Sequence, residues 1–261
     1  MCIRDRNYTV STEIMDSCLQ QCGIRHVLTS KRVIHKLEHL KVNAELVFLE
    51  DLLRKVTKVD KAIAYVMAKF WPMRTLERHL GLNQVGLDDL LTVIFTSGST
   101  GDPKGVMLTH GNISSNIDGI AQSVRLTPDD VLIGTLPFFH SYGFTATLWS
   151  VLTLDPMGVY HFSPLEAGVV GELCAKYRVT IFMSTPTFLR SYLKRCPPEH
   201  FATLDAVFGS AEKLSSELCD AFAKKFGVRP LEAYGATELS PLVSVNVPKH
   251  RAPSTGGPWV K

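Results

Sequence analysis

Several classes of protein are excluded by what this chain lacks. No run of residues is long and apolar enough to cross a bilayer as a helix. Basic residues exceed acidic ones by only 3 over 261 residues, and no dense Lys/Arg tract occurs, so no nucleic-acid surface is expected. Cys2, Cys18, Cys22, Cys174, Cys196 and Cys219 match neither a disulfide framework nor a zinc-site spacing. They read as buried thiols of a reducing compartment, with Cys18 and Cys22 one helical turn apart beside Ile14, Met15 and Leu19. His35, His39 and His79 form no ligand spacing, no G-x-S-x-G nucleophile motif occurs, and there is no repeat or low-complexity tract. The start lacks the apolar core of a secretory signal. Met1 to Arg6 fit neither a cap nor a targeting segment and read as foreign to the domain, and Ser254 to Lys261 stop in a Gly/Pro turn.

What is present is an ordinary globular composition, 45% hydrophobic and 20% charged, enough for a sizeable core in one or two domains. Short apolar runs read as strands at Arg25–Thr29, Glu45–Leu49, Leu90–Phe95, Val131–Leu136, Val179–Met183, Asp205–Phe208 and Pro230–Ala233. Helices fill many of the gaps. Ser163-Pro164-Leu165-Glu166 has the pattern of a capped helix start, followed by a stripe of Leu165, Val169, Leu173 and Tyr177. Ser215 to Phe226 is a second helix, with Leu218, Phe222 and Phe226 inward, Lys224 and Lys225 in its last turn, and Gly227 as its stop. Alternating strands and helices predict an α/β fold with largely parallel sheets flanked by helices. Ligands in such folds bind beyond the carboxyl ends of the strands. Val59 to Met73 is apolar and aromatic between Lys58 and Arg74. Two readings stay open there: a helix lying on a membrane surface and ending near Pro72, or an ordinary core-facing helix, which is the default.

The strand at Leu90–Phe95 runs into Thr96-Ser97-Gly98-Ser99-Thr100-Gly101-Asp102-Pro103-Lys104-Gly105. Its three glycines let backbone N–H groups approach a ligand closely. Its four hydroxyls suit phosphate oxygens, and Lys104 can neutralise a polyphosphate. A helix is expected after Thr109, so a helix N-terminus could lie near the loop. The order differs from the P-loop NTPase motif, because Pro103 precedes Lys104 and Gly105 follows it.

These residues resemble the hallmark loop of the adenylate-forming superfamily, which includes acyl-CoA and acyl-acyl-carrier-protein synthetases, luciferases and peptide-synthetase adenylation domains. The likeness continues in order through Leu136 to Gly143 (LPFFHSYG), Gly209 to Leu214 (GSAEKL) and Tyr234 to Glu238 (YGATE). It covers roughly the second half of the family's large N-terminal domain, so residues 7–261 are read as a piece of that AMP-binding domain. Asn7 to Leu40 and Tyr234 to Pro248 look closest to the fatty-acyl branch. That branch includes the synthetase part of bifunctional 2-acylglycerophosphoethanolamine acyltransferases.

The resemblance implies that a carboxylate attacks the α-phosphate of ATP, giving acyl-AMP and pyrophosphate. A thiol of CoA or of an acyl carrier protein then takes the acyl group. The acid implied is a long-chain fatty acid. On this reading Thr96, Ser97, Gly98, Ser99, Thr100, Gly101, Lys104 and Gly105 hold the phosphates. Gly209, Ser210, Ala211 and Glu212 form the adenine-side turn, and Tyr234 offers an aromatic face with Gly235 beside it. Thr237 hydrogen-bonds the α-phosphate, Glu238 coordinates Mg2+, and His140 sits near the acyl carboxylate. The family's ribose-binding Asp, hinge and mobile C-terminal domain with its adenylation Lys belong downstream of Lys261, and its opening strands upstream of Asn7. The implied location is cytoplasmic, at the inner face of the membrane if other parts of the protein carry it there. Competing readings are the same chemistry on an aryl or other non-fatty acid, and a non-catalytic nucleotide-binding module. An amino-acid substrate would need a carboxylate to meet its ammonium, and neither PFFHSYG nor YGATELSPL contains an obvious one.

Overall fold

The computed structural model describes residues 11–36, 43–96 and 103–247. They fall into two compact units. One comprises residues 6–89 and 95–105, the other Leu90–Ile94 and the chain from Val106 on.

The first unit begins with α1 (Thr12–Gln21), which buries Met15, Cys18 and Leu19 as the pattern predicts, while Ile14 is exposed. Strands β1 (His26–Thr29) and β2 (Glu45–Phe48) pair in parallel around α2 (Lys31–Lys36). Ser30 Oγ donates to Glu50 Oε1 at 2.6 Å, tying the end of β1 to α3 (Leu49–Lys55). Helix α4 (Lys58–Phe70) starts in a reciprocal cap, in which Thr57 Oγ1 accepts from Asp60 N and Asp60 Oδ2 accepts from Thr57 N. Trp71 and Pro72 end it before α5 (Met73–His79). The expectation that this segment faces a core is not met, because α4 buries none of its side chains.

Strands β3 (Leu90–Thr96) and β4 (Lys104–Thr109) hydrogen-bond to each other as a two-stranded sheet. Strand β4, which is not among the expected strands, carries the chain from the glycine loop to α6 (His110–Val124). Helix α6 begins where predicted, with Thr109 and Asn112 capping one another. The other elements are β5 (Val131–Gly134), α7 (Ser150–Leu154), β6 (Met157–Tyr160), α8 (Ala167–Tyr177), β7 (Ile181–Ser184), α9 (Pro186–Arg195), β8 (Ala206–Gly209), α10 (Ser216–Phe226), β9 (Leu231–Gly235) and β10 (Leu242–Val245). Among the described residues six strands form the main sheet, in the order β10-β9-β8-β7-β5-β6. All its pairs are parallel except β10 with β9.

Both faces of this sheet are covered, which is why its strands read as unbroken apolar runs rather than alternating ones. Ile133, Phe182 and Val207 pack on one side with Val170, Leu189 and Phe222 from α8, α9 and α10. Leu132, Ile181 and Phe208, one residue out of phase, pack on the other side with Ile120 and Val124 of α6. Helix α10 matches its sequence reading: Ser215 Oγ accepts from Leu218 N, Leu218, Phe222 and Phe226 are buried, and Gly227 closes the helix at φ 79°. Helix α8 does not match. It starts at Ala167 with no side-chain cap, and it buries Ala167, Val170, Gly171 and Cys174. Leu165, Val169 and Tyr177 of the expected stripe are exposed. Small residues let this helix lie close to its neighbours. A Cβ on Gly171 would overlap the His200 ring and press on Cys196 Sγ.

Candidate functional site

The glycine loop leaves β3 at Thr96 and returns at Pro103 into β4. Ser97, Gly98, Ser99, Thr100 and Gly101 lie outside the described residues. Of the loop's ends, Thr96 is half-buried, and Lys104 and Gly105 are exposed at the start of β4. Gln21 Nε2 of α1 donates to Pro103 O at 3.2 Å, holding the returning limb.

In the second unit the motif segments gather where the sheet's parallel strands end. LPFFHSYG follows β5, GSAEKL follows β8, and YGATE spans the end of β9. Two of them touch: Ser141 Oγ and Thr237 Oγ1 lie 3.0 Å apart. Tyr142 OH donates to Phe208 O of β8 at 3.4 Å, and burial pushes its phenol pKa well up, so it stays a neutral donor. Gly143 makes the turn possible, since a Cβ there would overlap the carbonyl oxygens of Pro137 and Leu136. A π-helical turn, Gly143–Trp149, follows, in which Thr147 Oγ1 donates to Gly143 O at 2.6 Å.

His140 is exposed and stacks at a tilt on Phe139, with centroids 4.7 Å apart. Its ring nitrogens meet no hydrogen-bond partner among the described residues. Desolvation by the surrounding protein lowers its pKa from the ordinary 6.5, so the imidazole is neutral near pH 7. A neutral ring can accept or donate one hydrogen bond without adding charge.

The turn after β8 is shaped by its backbone. Ser210 N donates to Ser184 O at 3.2 Å, and Ala211 adopts φ 70°, a left-handed conformation unusual for a residue with a Cβ. Glu212 is exposed, and its Oε2 accepts from Thr187 Oγ1 of α9 at 2.7 Å. At the end of β9 a Cβ on Gly235 would overlap Pro241 O, and Ala236 N donates to that oxygen at 3.0 Å. Thr237–Leu239 then forms one 3-10 turn. Tyr234 is 63% exposed, leaving a face of its ring open for stacking. Glu238 is exposed and has no hydrogen-bond or ion-pair partner among the described residues. One such carboxylate supplies a single ligand group, so Mg2+ at Glu238 would need phosphate oxygens and water for its other positions. That donor set fits a metal carried in with a polyphosphate.

A groove of about 640 Å³ opens beside Glu238, between α6 and β10. Leu239, Leu242 and Val245 line it with Asn112, Ser115 and Gln122. Its geometry depends on Asn116, which the sequence reading missed. Asn116 Nδ2 donates to Leu242 O at 2.8 Å and to Leu239 O at 3.3 Å, and its Oδ1 accepts from Leu242 N at 3.3 Å. The one available signal was an Asn in mid-helix, where that residue is a poor helix former and so usually bonds to something else.

Comparison with known proteins places this geometry among relatives. A family model described as AMP-binding enzyme matches residues 6–261. A long-chain-fatty-acid–CoA ligase of Bacillus subtilis (strain 168) is 33% identical over 180 residues, which is 66% of this chain and 31% of the relative. The 4-coumarate-CoA ligase 1 of Narcissus pseudonarcissus is 28% identical over 231 residues, 85% of this chain and 41% of the relative. The chain therefore spans well under half the length of these two relatives. Among solved structures, O-succinylbenzoate coenzyme A synthetase of Bacillus subtilis with ATP and magnesium ion superposes with a TM-score of 0.73 at 21% identity. That match covers 94% of this chain and 46% of the other. At that identity the likeness is one of fold.

Proposed function

This chain belongs to the AMP-binding enzyme family, and from that premise we propose that the protein containing it uses ATP to activate a carboxylic acid. The carboxylate oxygen attacks the α-phosphorus, the bond to the bridging oxygen breaks, and pyrophosphate leaves with that oxygen's electrons. A thiol of CoA or of an acyl carrier protein then adds to the acyl carbonyl and displaces AMP. The first step brings an anion to a polyanion, so the protein's task is to neutralise charge and align the reactants.

The observation that carries this reading is the Ser141–Thr237 contact at the sheet's carboxyl edge, with Glu238 and the groove beside it. Thr237 Oγ1 can donate to an α-phosphate oxygen while Ser141 holds its rotamer. Glu238 would hold Mg2+, which supplies charge neutralisation for the phosphates. Tyr234 offers its open face to adenine against the Gly209–Ala211 turn. The loop hydroxyls from Thr96 to Thr100, the amides of Gly98, Gly101 and Gly105, and Lys104 would hold the outer phosphates. His140, being neutral, would orient the incoming carboxylate by donating one N–H hydrogen bond to it.

For the acid we favour a long-chain fatty acid, its distal carbons lying along Leu239, Leu242 and Val245 in the groove. The fatty-acyl likeness of Tyr234 to Pro248 supports this choice, as does the ligase of Bacillus subtilis. Each methylene buried contributes about 0.8 kcal/mol, so kcat/KM should rise about fourfold per carbon until the groove ends. A series of acids from acetate upward, assayed with the complete protein, tests it. Preference for benzoate or coumarate over every long acid would assign the groove to an aryl substrate instead.

A further inference from the structure

We propose that α4, with the turn into α5, is a docking surface for an anionic lipid bilayer. The inference uses no residue of the acid-activating reading and stands independently of it. Val59, Ile63, Val66 and Phe70 recur at spacings of four, three and four, so they share one stripe of α4. They are 65, 52, 48 and 68% exposed, and α4 has no extended packing against another described element. The stripe continues into Trp71 and Met73, also exposed. A single 13-residue helix, roughly 20 Å long, presents a convex ridge and no groove. A convex apolar ridge suits a deformable apolar medium.

The charge around the ridge selects the kind of medium. Lys58 and Lys69 flank the ridge on one side of the helix, Lys61 lies on the opposite face, and Arg74 and Arg78 project from one side of α5. Lys58, Lys61, Arg74 and Arg78 pair with no carboxylate among the described residues. Of the neighbouring acids, Asp60 caps Thr57, Asp51 meets Lys31 and Glu50 accepts from Ser30, while Glu77 of α5 sets one negative charge beside Arg74 and Arg78. Lys69 lays its stem over Tyr65 and Phe70, with Nζ 5.5 and 5.8 Å from the ring centroids. Apolar side chains, flanking cations and aromatic rings at the boundary are the composition of a helix lying in a headgroup layer. Lysine clusters there draw it to acidic lipid.

The test is sedimentation of the chain with vesicles of phosphatidylcholine plus phosphatidylserine, against phosphatidylcholine alone. Binding should favour the acidic vesicles by tenfold or more, on the order of fivefold for each basic residue engaged, and fall as salt rises. Val66→Ser with Phe70→Ser should lose on the order of tenfold or more. Lys58→Glu with Lys69→Glu should lose a similar amount and flatten the salt dependence. All four side chains are exposed, so circular dichroism and the urea midpoint should not move. If the serine pair fails to fold, the lysine pair and the salt dependence still decide. Absent binding, equal binding to neutral vesicles, or full binding by both variants overturns the proposal. A dimer broken by the serine pair, without vesicle binding, would give the ridge to a second copy and equally overturn it.

Discussion

Ser141 Oγ and Thr237 Oγ1, 96 positions apart in sequence, meet at 3.0 Å and join the loop after β5 to the turn after β9. A hydrogen bond of this kind has a net worth of about 0.5–1.5 kcal/mol in unfolding. Ser141→Ala, Thr237→Val and the double variant should give a coupling of that size in a double-mutant cycle by urea denaturation. Strictly additive losses would mean that the two loops are held by something else.

Asn116 should matter more than its place on a helix suggests. It bonds to both backbone groups of Leu242 and to Leu239 O. Asn116→Ala leaves the two partly buried backbone groups of Leu242 without their partner, so a loss of about 1–3 kcal/mol is expected. Asn116→Asp, which keeps the acceptor and loses the donors, should be nearly as harmful. An unchanged urea midpoint in both would show that water replaces the side chain.

Gly143→Ala should be among the more damaging single-methyl additions in the second unit. Its Cβ would overlap two backbone carbonyl oxygens, which cannot step aside as a side-chain tip can. A loss of roughly 1–3 kcal/mol is expected. Gly168→Ala on α8 has open space around it and should be neutral or slightly stabilising. Equal effects of the two would contradict the tight turn at Gly143.

His140 should give the fold a small pH dependence. Its folded pKa lies below the ordinary 6.5 because of desolvation. Between the two values the unfolded chain binds more protons than the folded one. Its contribution is therefore complete above the ordinary value and is lost as pH falls through it toward the folded value. Wild type should lose more stability than His140→Gln on going from about pH 7.5 to about pH 5.5. Parallel losses would remove His140 as the cause.

Much of this was legible in the sequence, and the exceptions have physical causes. Strands β5, β7 and β8 were readable because burial on both faces leaves mainly apolar side chains in them. The motif segments were readable because each lies at the carboxyl end of a strand. Strand β4 was missed because KGVMLT carries Lys104 and Gly105 at its start and leaves Met107 exposed, a pattern close to that of a loop. Strands β6 and β10 are four-residue edge strands, half-exposed and without a continuous apolar run. On α8 the large residues drew the eye to Leu165, Val169 and Tyr177, whereas the packed face consists mainly of small ones. Helix α4 has a faultless amphipathic pattern, yet periodicity cannot say what an apolar face meets. Asn116 acts through backbone groups 123 and 126 positions away, a relation that no local pattern encodes.

The central claim is that the protein containing this chain joins a carboxylic acid to AMP, with Lys104 on the outer phosphates and Thr237 on the inner one. The most direct measurement is exchange of labelled pyrophosphate into ATP by the complete protein, with and without a long-chain fatty acid. Exchange should require the acid. Thr237→Val should slow it by about 10²–10³, the usual loss for one preorganised donor to developing charge. Lys104→Ala should raise the KM for ATP while leaving the KM for the acid nearly unchanged. Exchange that proceeds equally without any carboxylic acid, or that survives Thr237→Val at the full rate with ATP dependence untouched in Lys104→Ala, would contradict it.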